Sequence, residues 1–240
     1  MEFKNKTVII TGASVGIGKA TAIEFARNGA NVCIVDVNAE GLDTLAEEIK
    51  SIGANVSSYI CDVSDEQRVH EITQEIINKY GKIDILVNNA GLWRMWKPFV
   101  ETTSDEWKKR LSVNILGLMY FTHEVLPNMI ENSYGRIINI GSVAGVYGNA
   151  NMADYSMTKG AVSLFTKALA KEVADKGITV NNVVPGSVRN EGAKAETDLC
   201  YMGRNGELEE YAYLICFLAS DKAAYISGQD YRIDGCRKKN

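Results

Sequence analysis

Two side chains with complementary acid–base chemistry, Tyr155 and Lys159, stand four positions apart in the sequence. Residues four apart on a helix share one face, so a helix here would hold the ammonium group near the phenol. A phenol has a pKa of about 10, and a nearby positive charge favours its ionised form. Tyr155 is therefore a candidate general acid or base. The alternative for this spacing in isolation is a solvated lysine beside a packed ring.

A glycine-rich turn forms a second candidate site near the N-terminus. Gly12, Gly16 and Gly18 follow a β-branched run and lead into a segment with helical spacing of apolar residues. Glycines in such a turn let the backbone approach a pyrophosphate, which the free N–H groups of the helix N-terminus then bind. The pattern predicts a dinucleotide site rather than a turn alone. A nucleoside triphosphatase loop is excluded because Ala20, after Lys19, stands where Ser or Thr is required.

Asp36 ends the second predicted strand, 18 residues after Gly18. A carboxylate at that place accepts hydrogen bonds from the adenosine ribose hydroxyls and repels a 2′-phosphate. The sequence therefore favours NAD over NADP, and the absence of Arg or Lys at Val15 and Val37 agrees. The alternative is that Asp36 only caps a turn.

The elements that must position these residues alternate between β-branched runs and segments of helical period, which predicts an α/β fold with a doubly wound parallel sheet and helices on both faces. Two longer helices are predicted over Ser104–Asn132 and Ala153–Asp175, each with a second apolar face suited to contact with another subunit. The polar stretch Ser187–Asp198 is predicted to be a loop. Seven strands are predicted, at Thr7–Thr11, Asn31–Asp36, Val56–Cys61, Ile83–Asn88, Arg136–Ile140, Thr179–Val184 and Tyr231–Ile233.

Composition limits the function classes. The 240 residues, 46% hydrophobic and 23% charged, predict one globular domain over residues 1–240. A net charge of −4 speaks against a nucleic-acid partner. The short apolar runs and the absence of a signal core indicate no membrane association and a cytoplasmic location. The five cysteines are scattered, and His70 and His123 lack ligand spacing, so no disulfide framework or metal site is indicated.

The ordered set of motifs resembles the short-chain dehydrogenase/reductase family from Thr7 to about Gly235. The matching positions are Gly12-x-x-x-Gly16-x-Gly18, Asp62-Val63, Asn89-Ala90-Gly91, Asn114, Ser142, Tyr155-x-x-x-Lys159 and Pro185-Gly186. The resemblance implies a single Rossmann-type domain, a small-molecule substrate, hydride transfer with NAD as cofactor, and the family's usual homotetramer.

The resemblance also implies roles for individual residues. Tyr155 would move the proton, Ser142 would hold the substrate oxygen, and Lys159 would bind the nicotinamide ribose. Asn114 would hold a water that connects Lys159 to solvent. For two of these residues there is a structural alternative: Asn114 could be an ordinary polar residue of a helix, and Ser142 could be a turn former. The cofactor-binding set would be Gly12, Ser14, Gly16, Ile17, Gly18, Asp36, Asp62, Val63, Asn89, Ala90, Gly91, Tyr155, Lys159, Pro185, Gly186 and Val188.

An aromatic stretch after Gly91 bears on the identity of the substrate. Trp93 and Trp96 could form an apolar wall suited to a bulky alcohol such as a hydroxysteroid or bile acid. Packing against a neighbouring helix or subunit is the equal alternative. The other residues expected to line the substrate are Ser142, Val143, Tyr147, Met152 and Tyr155.

Departures from the family pattern also bear on the substrate. Asn190 stands where many relatives have a threonine, and only 15 residues separate Gly186 from Met202, which predicts a short lid. The usual closing Gly-Gly is Gly235-Cys236.

Three hypotheses follow. The first is an NAD(H)-dependent oxidoreductase that interconverts a hydroxysteroid-like secondary alcohol and its ketone. The second is a 3-oxoacyl-carrier-protein reductase, against which Asp36 and the net charge of −4 speak. The third is a non-catalytic dinucleotide-sensing protein, which the retention of Asn114, Ser142, Tyr155 and Lys159 disfavours.

Overall fold

A computed structural model of the protein describes residues 1–93, 96–189 and 197–238. These residues contain one parallel sheet with the strands β1 (Thr7–Thr11), β2 (Asn31–Asp36), β3 (Val56–Ile60), β4 (Ile85–Asn88), β5 (Gly135–Ile140), β6 (Ile178–Pro185) and β7 (Asp230–Ile233). The strand order across the sheet is β3-β2-β1-β4-β5-β6-β7. The predicted doubly wound fold class is confirmed.

Helices connect the strands and cover both faces of the sheet. They are α1 (Gly16–Arg27), α2 (Ala39–Ser51), α3 (Glu66–Tyr80), α4 (Ser104–Leu111), α5 (Leu118–Glu131), α6 (Ala144–Tyr147), α7 (Ala153–Val173) and α8 (Leu208–Ala219). A helix long and apolar enough to cross a bilayer is absent from the described ranges.

The alternation of side chains along β1 divides the core into two layers. Val8 and Ile10 point to the face covered by α1, α2 and α8. Ile9 points to the opposite face, which α3, α5 and α7 cover. Because successive strand residues face opposite sides, a strand buried on both faces must be apolar throughout, as the three consecutive residues Val8, Ile9 and Ile10 are.

The predicted strand boundaries differ from the observed ones by at most two residues. The fourth strand begins at Ile85 rather than Ile83, since the backbone N–H of Ile83 donates to the Asn128 side chain. The carboxylate of Asp84 accepts from the backbone N–H of Thr7 and pairs with Lys6. The backbone of Asp84 still donates to the carbonyl oxygen of Thr7 and accepts from the N–H of Arg136, so only the contact of Ile83 departs from the sheet.

The predicted long helix over Ser104–Asn132 is interrupted. A π-helical turn, Ser112–Gly117, separates α4 from α5. A Cβ atom on Gly117 would lie 2.5 Å from Cγ2 of Val63, so the backbone approaches the loop after β3 closely here. The second long helix ends at Val173 and continues as a 3₁₀ turn, Ala174–Lys176.

The predicted loop Ser187–Asp198 is described only at its two ends. Val188 forms an isolated parallel bridge with Gly206, so the first residues of this segment are held by the chain that precedes α8. A 3₁₀ turn, Thr197–Leu199, stands at the other end. Asn190 lies outside the described residues.

Candidate active site

The candidate residues lie where the carboxyl ends of the central strands meet. Gly12 follows β1, Asn89 follows β4, Ser142 follows β5 by two residues, and Gly186 follows β6. The strand order reverses between β1 and β4, which are neighbours in the sheet. From β1 the chain adds strands on one side, and from β4 it adds them on the other. In open α/β sheets this switch point forms a crevice outside the strand ends, and ligands bind there.

The glycine turn is shaped by close backbone contacts. Gly12 and Gly16 have φ values of +63° and +59°, which favour glycine. A Cβ on Gly12 would lie 2.8 Å from Cα of Ala90, and one on Gly18 would collide with the carbonyl oxygen of Gly12. The Asn89 side chain donates to that same oxygen at 2.8 Å. Side chains larger than glycine would therefore displace β1, α1 and the loop after β4.

This turn fits a dinucleotide pyrophosphate. No side chain of the described residues caps the first turn of α1, which leaves its N–H groups for a ligand. Ser14 is buried and Ile17 half-buried beside the glycines.

Asp36 is fixed at the end of β2 by two backbone hydrogen bonds. Its carboxylate accepts from the N–H of Ser14 and from the N–H of Asn38, each at 3.0 Å. The first bond ties the carboxylate to the glycine turn itself, as a ribose-binding residue requires. The second is the turn-capping contact that was the alternative for this residue, so the geometry accommodates both functions.

The predicted adenine contacts lie after β3. The carboxylate of Asp62 accepts hydrogen bonds from the backbone N–H and the hydroxyl of Ser64, and Asp62 is exposed. Val63 is buried against Gly117. On the far side of the crevice, Pro185 is buried while Gly186 and Val188 are half-buried.

Asn114 connects three segments at the centre of the site. It is buried in the π-helical turn, and its amide oxygen accepts from the backbone N–H of Leu92 at 2.7 Å. Its amide nitrogen donates to the Thr158 hydroxyl at 3.1 Å. A Cβ on Gly91 would lie 3.4 Å from the Lys159 Nζ and 3.5 Å from the Asn114 oxygen, so these three residues meet at one place.

Tyr155 and Lys159 share one face of α7, and both are buried. The Lys159 Nζ donates to the carbonyl oxygen of Ile140 at 2.6 Å. Burial lowers the pKa of Lys159 to about 8. Its Nζ lies 6.0 Å from the centre of the Tyr155 ring.

The pKa of Tyr155 departs from the sequence prediction. Burial raises this pKa, while a hydrogen bond with Ser142 and the positive charge of Arg110 oppose the rise. The prediction that Lys159 lowers the pKa assumed a solvated phenol. In the structure the phenol is largely removed from water, and desolvation has the largest effect. The balance keeps Tyr155 in its protonated form at neutral pH.

Of the predicted substrate residues, Met152 and Tyr155 pack in one small buried cluster, and Tyr155 forms a hydrogen bond with Ser142. Val143 and Met152 are buried, and Tyr147 is half-buried and accepts a hydrogen bond from Arg232 at 2.7 Å. Trp93 and Trp96 are each 61% exposed, and the structure does not bring them into a closed apolar wall.

A cavity of about 290 Å³ lies beside the catalytic candidates, and all but one of its described lining residues are polar or charged, although the carbon stems of these side chains supply much of its surface. The lining residues are Leu92, Lys97, Thr102, Glu106, Lys109, Arg110, Asn151 and Asp154. Lys97 pairs with Glu106 at 3.1 Å, and Arg110 pairs with Asp154. Sequence reasoning missed these residues and Thr158. The available signals were a basic α4 and an aspartate directly before Tyr155, but neither reveals its partner without the fold.

Comparison with known proteins identifies the class. A family model described as short chain dehydrogenase matches residues 6–198. The chain belongs to the short-chain dehydrogenase/reductase family, and is an oxidoreductase of the kind that binds a nicotinamide dinucleotide.

Individual relatives resemble the chain along nearly its whole length. It is 40% identical over 244 residues to the 3-oxoacyl-acyl-carrier-protein reductase of Thermotoga maritima, covering 98% of both chains. It is 37% identical over 243 residues to the reductase of the same name from Pseudomonas aeruginosa, again with 98% of both covered. Among solved structures, an NAD⁺-bound xylitol dehydrogenase matches with a TM-score of 0.93 and 30% identity, over 98% of this chain and 100% of the other.

Proposed function

We propose that the protein reduces a 3-oxoacyl thioester to the corresponding secondary alcohol with NADH. The observation that carries this proposal is the similarity, over 98% of both chains, to 3-oxoacyl-acyl-carrier-protein reductases from different bacteria. The basic residues of α4 add support, since Lys108 and Lys109 are exposed and Lys109 lines the cavity beside Tyr155. An acidic carrier would be attracted to such a local positive surface even though the net charge is −4.

In this proposal Tyr155 and Ser142 hold the substrate carbonyl oxygen. A nicotinamide dinucleotide bound in the crevice would supply the hydride to the carbonyl carbon. Tyr155, kept protonated by burial, donates its proton to the oxygen as negative charge develops there. Lys159 binds the nicotinamide ribose, and Asn114 holds the relay water, as the family resemblance implies.

Cofactor preference is proposed from Asp36. The three glycines of the turn, the uncapped start of α1 and the carboxylate tied to Ser14 fit an adenosine with a free 2′-hydroxyl. A 2′-phosphate at the same place would meet the carboxylate charge. We therefore propose NAD(H), although relatives named as 3-oxoacyl reductases usually favour NADP(H).

A second candidate is the oxidation of a polyol. The polar lining of the cavity offers ammonium, carboxylate, hydroxyl and amide groups to a substrate with several hydroxyls. The NAD⁺-bound xylitol dehydrogenase, at a TM-score of 0.93, supports this candidate. The hydroxysteroid hypothesis has no support among the relatives described above, which are named as 3-oxoacyl-acyl-carrier-protein reductases and a xylitol dehydrogenase.

A substrate panel decides between these functions. Acetoacetyl thioesters, xylitol and other polyols, and hydroxysteroids would each be tested with NADH or NAD⁺ and with the phosphorylated cofactor, following nicotinamide absorbance. We expect turnover of thioesters with NADH. Turnover of polyols alone would support the second candidate. Cofactor binding without turnover of any substrate would instead support the dinucleotide-sensing hypothesis.

The Tyr155→Phe variant tests the mechanism in the same assay. It removes only the phenol hydroxyl, so NADH binding should persist while turnover falls by roughly 10²–10⁴-fold. An active variant would contradict the proton-transfer role of Tyr155.

A further inference from the structure

An ion pair joins α4 to α7 immediately beside Tyr155. The guanidinium of Arg110 contacts the carboxylate of Asp154, and these side chains are only 13% and 9% exposed. The other carboxylate oxygen of Asp154 accepts a hydrogen bond from the backbone N–H of Tyr155 at 2.9 Å. The pair is therefore attached to the backbone of the residue that we propose as the proton donor.

A second hydrogen-bonded pair joins the same two segments of the chain. Its residues lie four positions after Arg110 and Asp154, respectively. Asn114 donates to the Thr158 hydroxyl at 3.1 Å, and that hydroxyl donates to the carbonyl oxygen of Tyr155 at 2.8 Å. The backbone of Tyr155 is thus held at its N–H by Asp154 and at its carbonyl by Thr158. Each of these two residues is bonded in turn to a residue of the segment that contains α4 and the π-helical turn.

The pair also carries charge close to the phenol. Burial raises the pKa of Tyr155, and the Arg110 charge acts in the opposite direction. Within the described ranges, other charged or titratable groups lie on the neighbouring elements. These are Lys159 on α7, Glu106 and Lys109 on α4, Lys97 after β4, and Tyr147 on α6 with its partner Arg232 on β7. Asp154 is the charged group hydrogen-bonded to the Tyr155 backbone, and Arg110 is its ion-pair partner.

We propose that Arg110 and Asp154 act as a charge-balanced positioning pair that orients Tyr155 and sets the pH range of turnover. This inference rests on the proposed function, because it needs Tyr155 to be the group that transfers the proton. Neither residue touches the reacting atoms. Their effect comes from the geometry of the Tyr155 backbone and from two opposite charges placed close to the phenol.

The test is a pair of single substitutions with opposite expected effects. Arg110→Gln leaves the Asp154 carboxylate uncompensated near the phenol, which disfavours phenolate, so the pH midpoint assigned to Tyr155 should rise by about one unit. Asp154→Asn leaves the guanidinium uncompensated, so the midpoint should fall by a similar amount. The double variant removes both charges and should return the midpoint close to the wild-type value. The measurement is the pH profile of kcat at saturating substrate and cofactor.

Two controls separate electrostatics from general damage. Lys50→Gln removes a charge from an exposed pair with Glu47 on α2, and its pH profile should coincide with that of the wild type. Asp154→Glu keeps the charge but moves the carboxylate relative to the Tyr155 N–H. It should lower kcat several-fold with an unchanged midpoint, and it gives an answer even if the neutral single variants do not fold.

The outcomes distinguish this inference from the proposed function. A wild-type protein that turns over no substrate would overturn both. A wild-type protein that is active, with midpoints in Arg110→Gln and Asp154→Asn that coincide or move in the same direction, would overturn the inference alone. An Asp154→Glu variant with unchanged kcat would also overturn it.

Discussion

Lys159 has a role in the proposed chemistry but lowers the stability of the folded protein. The residue is only 7% exposed, and its ammonium group donates to the carbonyl oxygen of Ile140. Burial lowers its pKa from 10.5 to about 8, which means that the folded protein binds this proton less tightly than the unfolded chain does. The difference corresponds to about 3 kcal/mol of destabilisation while the lysine is charged.

Lys159→Met should therefore abolish turnover while stabilising the protein at pH 7. After the lost hydrogen bond to Ile140 is subtracted, we expect a gain of about 1–2 kcal/mol in the free energy of unfolding. The cost in the wild type is fully present below about pH 8 and disappears as the pH rises toward 10.5. The stability difference should shrink over that interval in denaturant titrations at several pH values. A variant less stable than the wild type at pH 7 would contradict this account.

Asp36 gives the residue-scale prediction for cofactor choice. Asp36→Ala removes the charge that would repel a 2′-phosphate, so KM for NADH should rise and KM for NADPH should fall, each by roughly tenfold. Asp36→Asn is the matched control, because its amide oxygen can still accept from Ser14 or Asn38 while the charge is gone. Both variants should shift the preference if charge decides it. A loss of stability in Asp36→Ala with unchanged preference would identify a turn cap.

The sequence permitted most of the candidate site to be predicted at this scale, because its motifs each follow a strand or lie on one helix face. Tyr155 and Lys159 are neighbours through helix geometry alone. The pairing of Arg110 with Asp154 depends on how α4 meets α7, which no local pattern contains. The pKa of Tyr155 was predicted in the wrong direction for the same reason, since burial is a property of the fold.

At the scale of elements, the contact between α6 and α7 holds Ser142 close to Tyr155. Gly145 lies against the α7 backbone, where an added Cβ would be 2.6 Å from the N of Gly160 and still closer to the carbonyl carbon of Lys159. Both neighbours are main-chain atoms, so a side chain at this position cannot be accommodated by a rotamer change. The two helices would have to separate.

Gly145→Ala should lower the free energy of unfolding by about 1–3 kcal/mol and kcat by at least tenfold, because Ser142 moves away from the phenol. Gly160→Ala is the matched control on the facing helix. Its Cβ would lie 3.4 Å from the Gly145 carbonyl oxygen, and alanine favours helix. Thermal unfolding and steady-state kinetics of both variants test the contact, and equal effects of the two substitutions would contradict it.

The elements themselves could be predicted because β-branched runs and helical spacing are local signals. The π-helical turn over Ser112–Gly117 could not, since apolar spacing does not distinguish a helix from one with an extra residue in a single turn. The strand edge at Ile85 differs from the prediction because the Asn128 side chain takes the N–H of Ile83.

At the scale of the whole molecule, the long helices leave apolar side chains in water. Leu164 and Met157 on α7 are 70% and 54% exposed, and Met119 on α5 is 42% exposed. Exposed apolar side chains of this kind suit an interface between subunits. We keep the homotetramer as the expected assembly.

Light scattering after gel filtration should give four times the 26.3 kDa chain mass. Leu164→Glu places a charge on the exposed face of α7 and should shift the protein to a smaller species. Ile52→Glu, at an exposed apolar position after α2, should leave the mass unchanged. A monomeric wild-type protein would contradict the tetramer.

The paired charges of Arg110 and Asp154 also constrain how this sequence can change over generations. Either charge alone would be buried without its partner, a state that costs about 3–5 kcal/mol, which is a large part of the stability of a typical domain. A lineage can therefore lose or gain the two residues only together, or after other substitutions have first supplied spare stability. We therefore expect the two positions, 44 residues apart in the chain, to change together among related sequences.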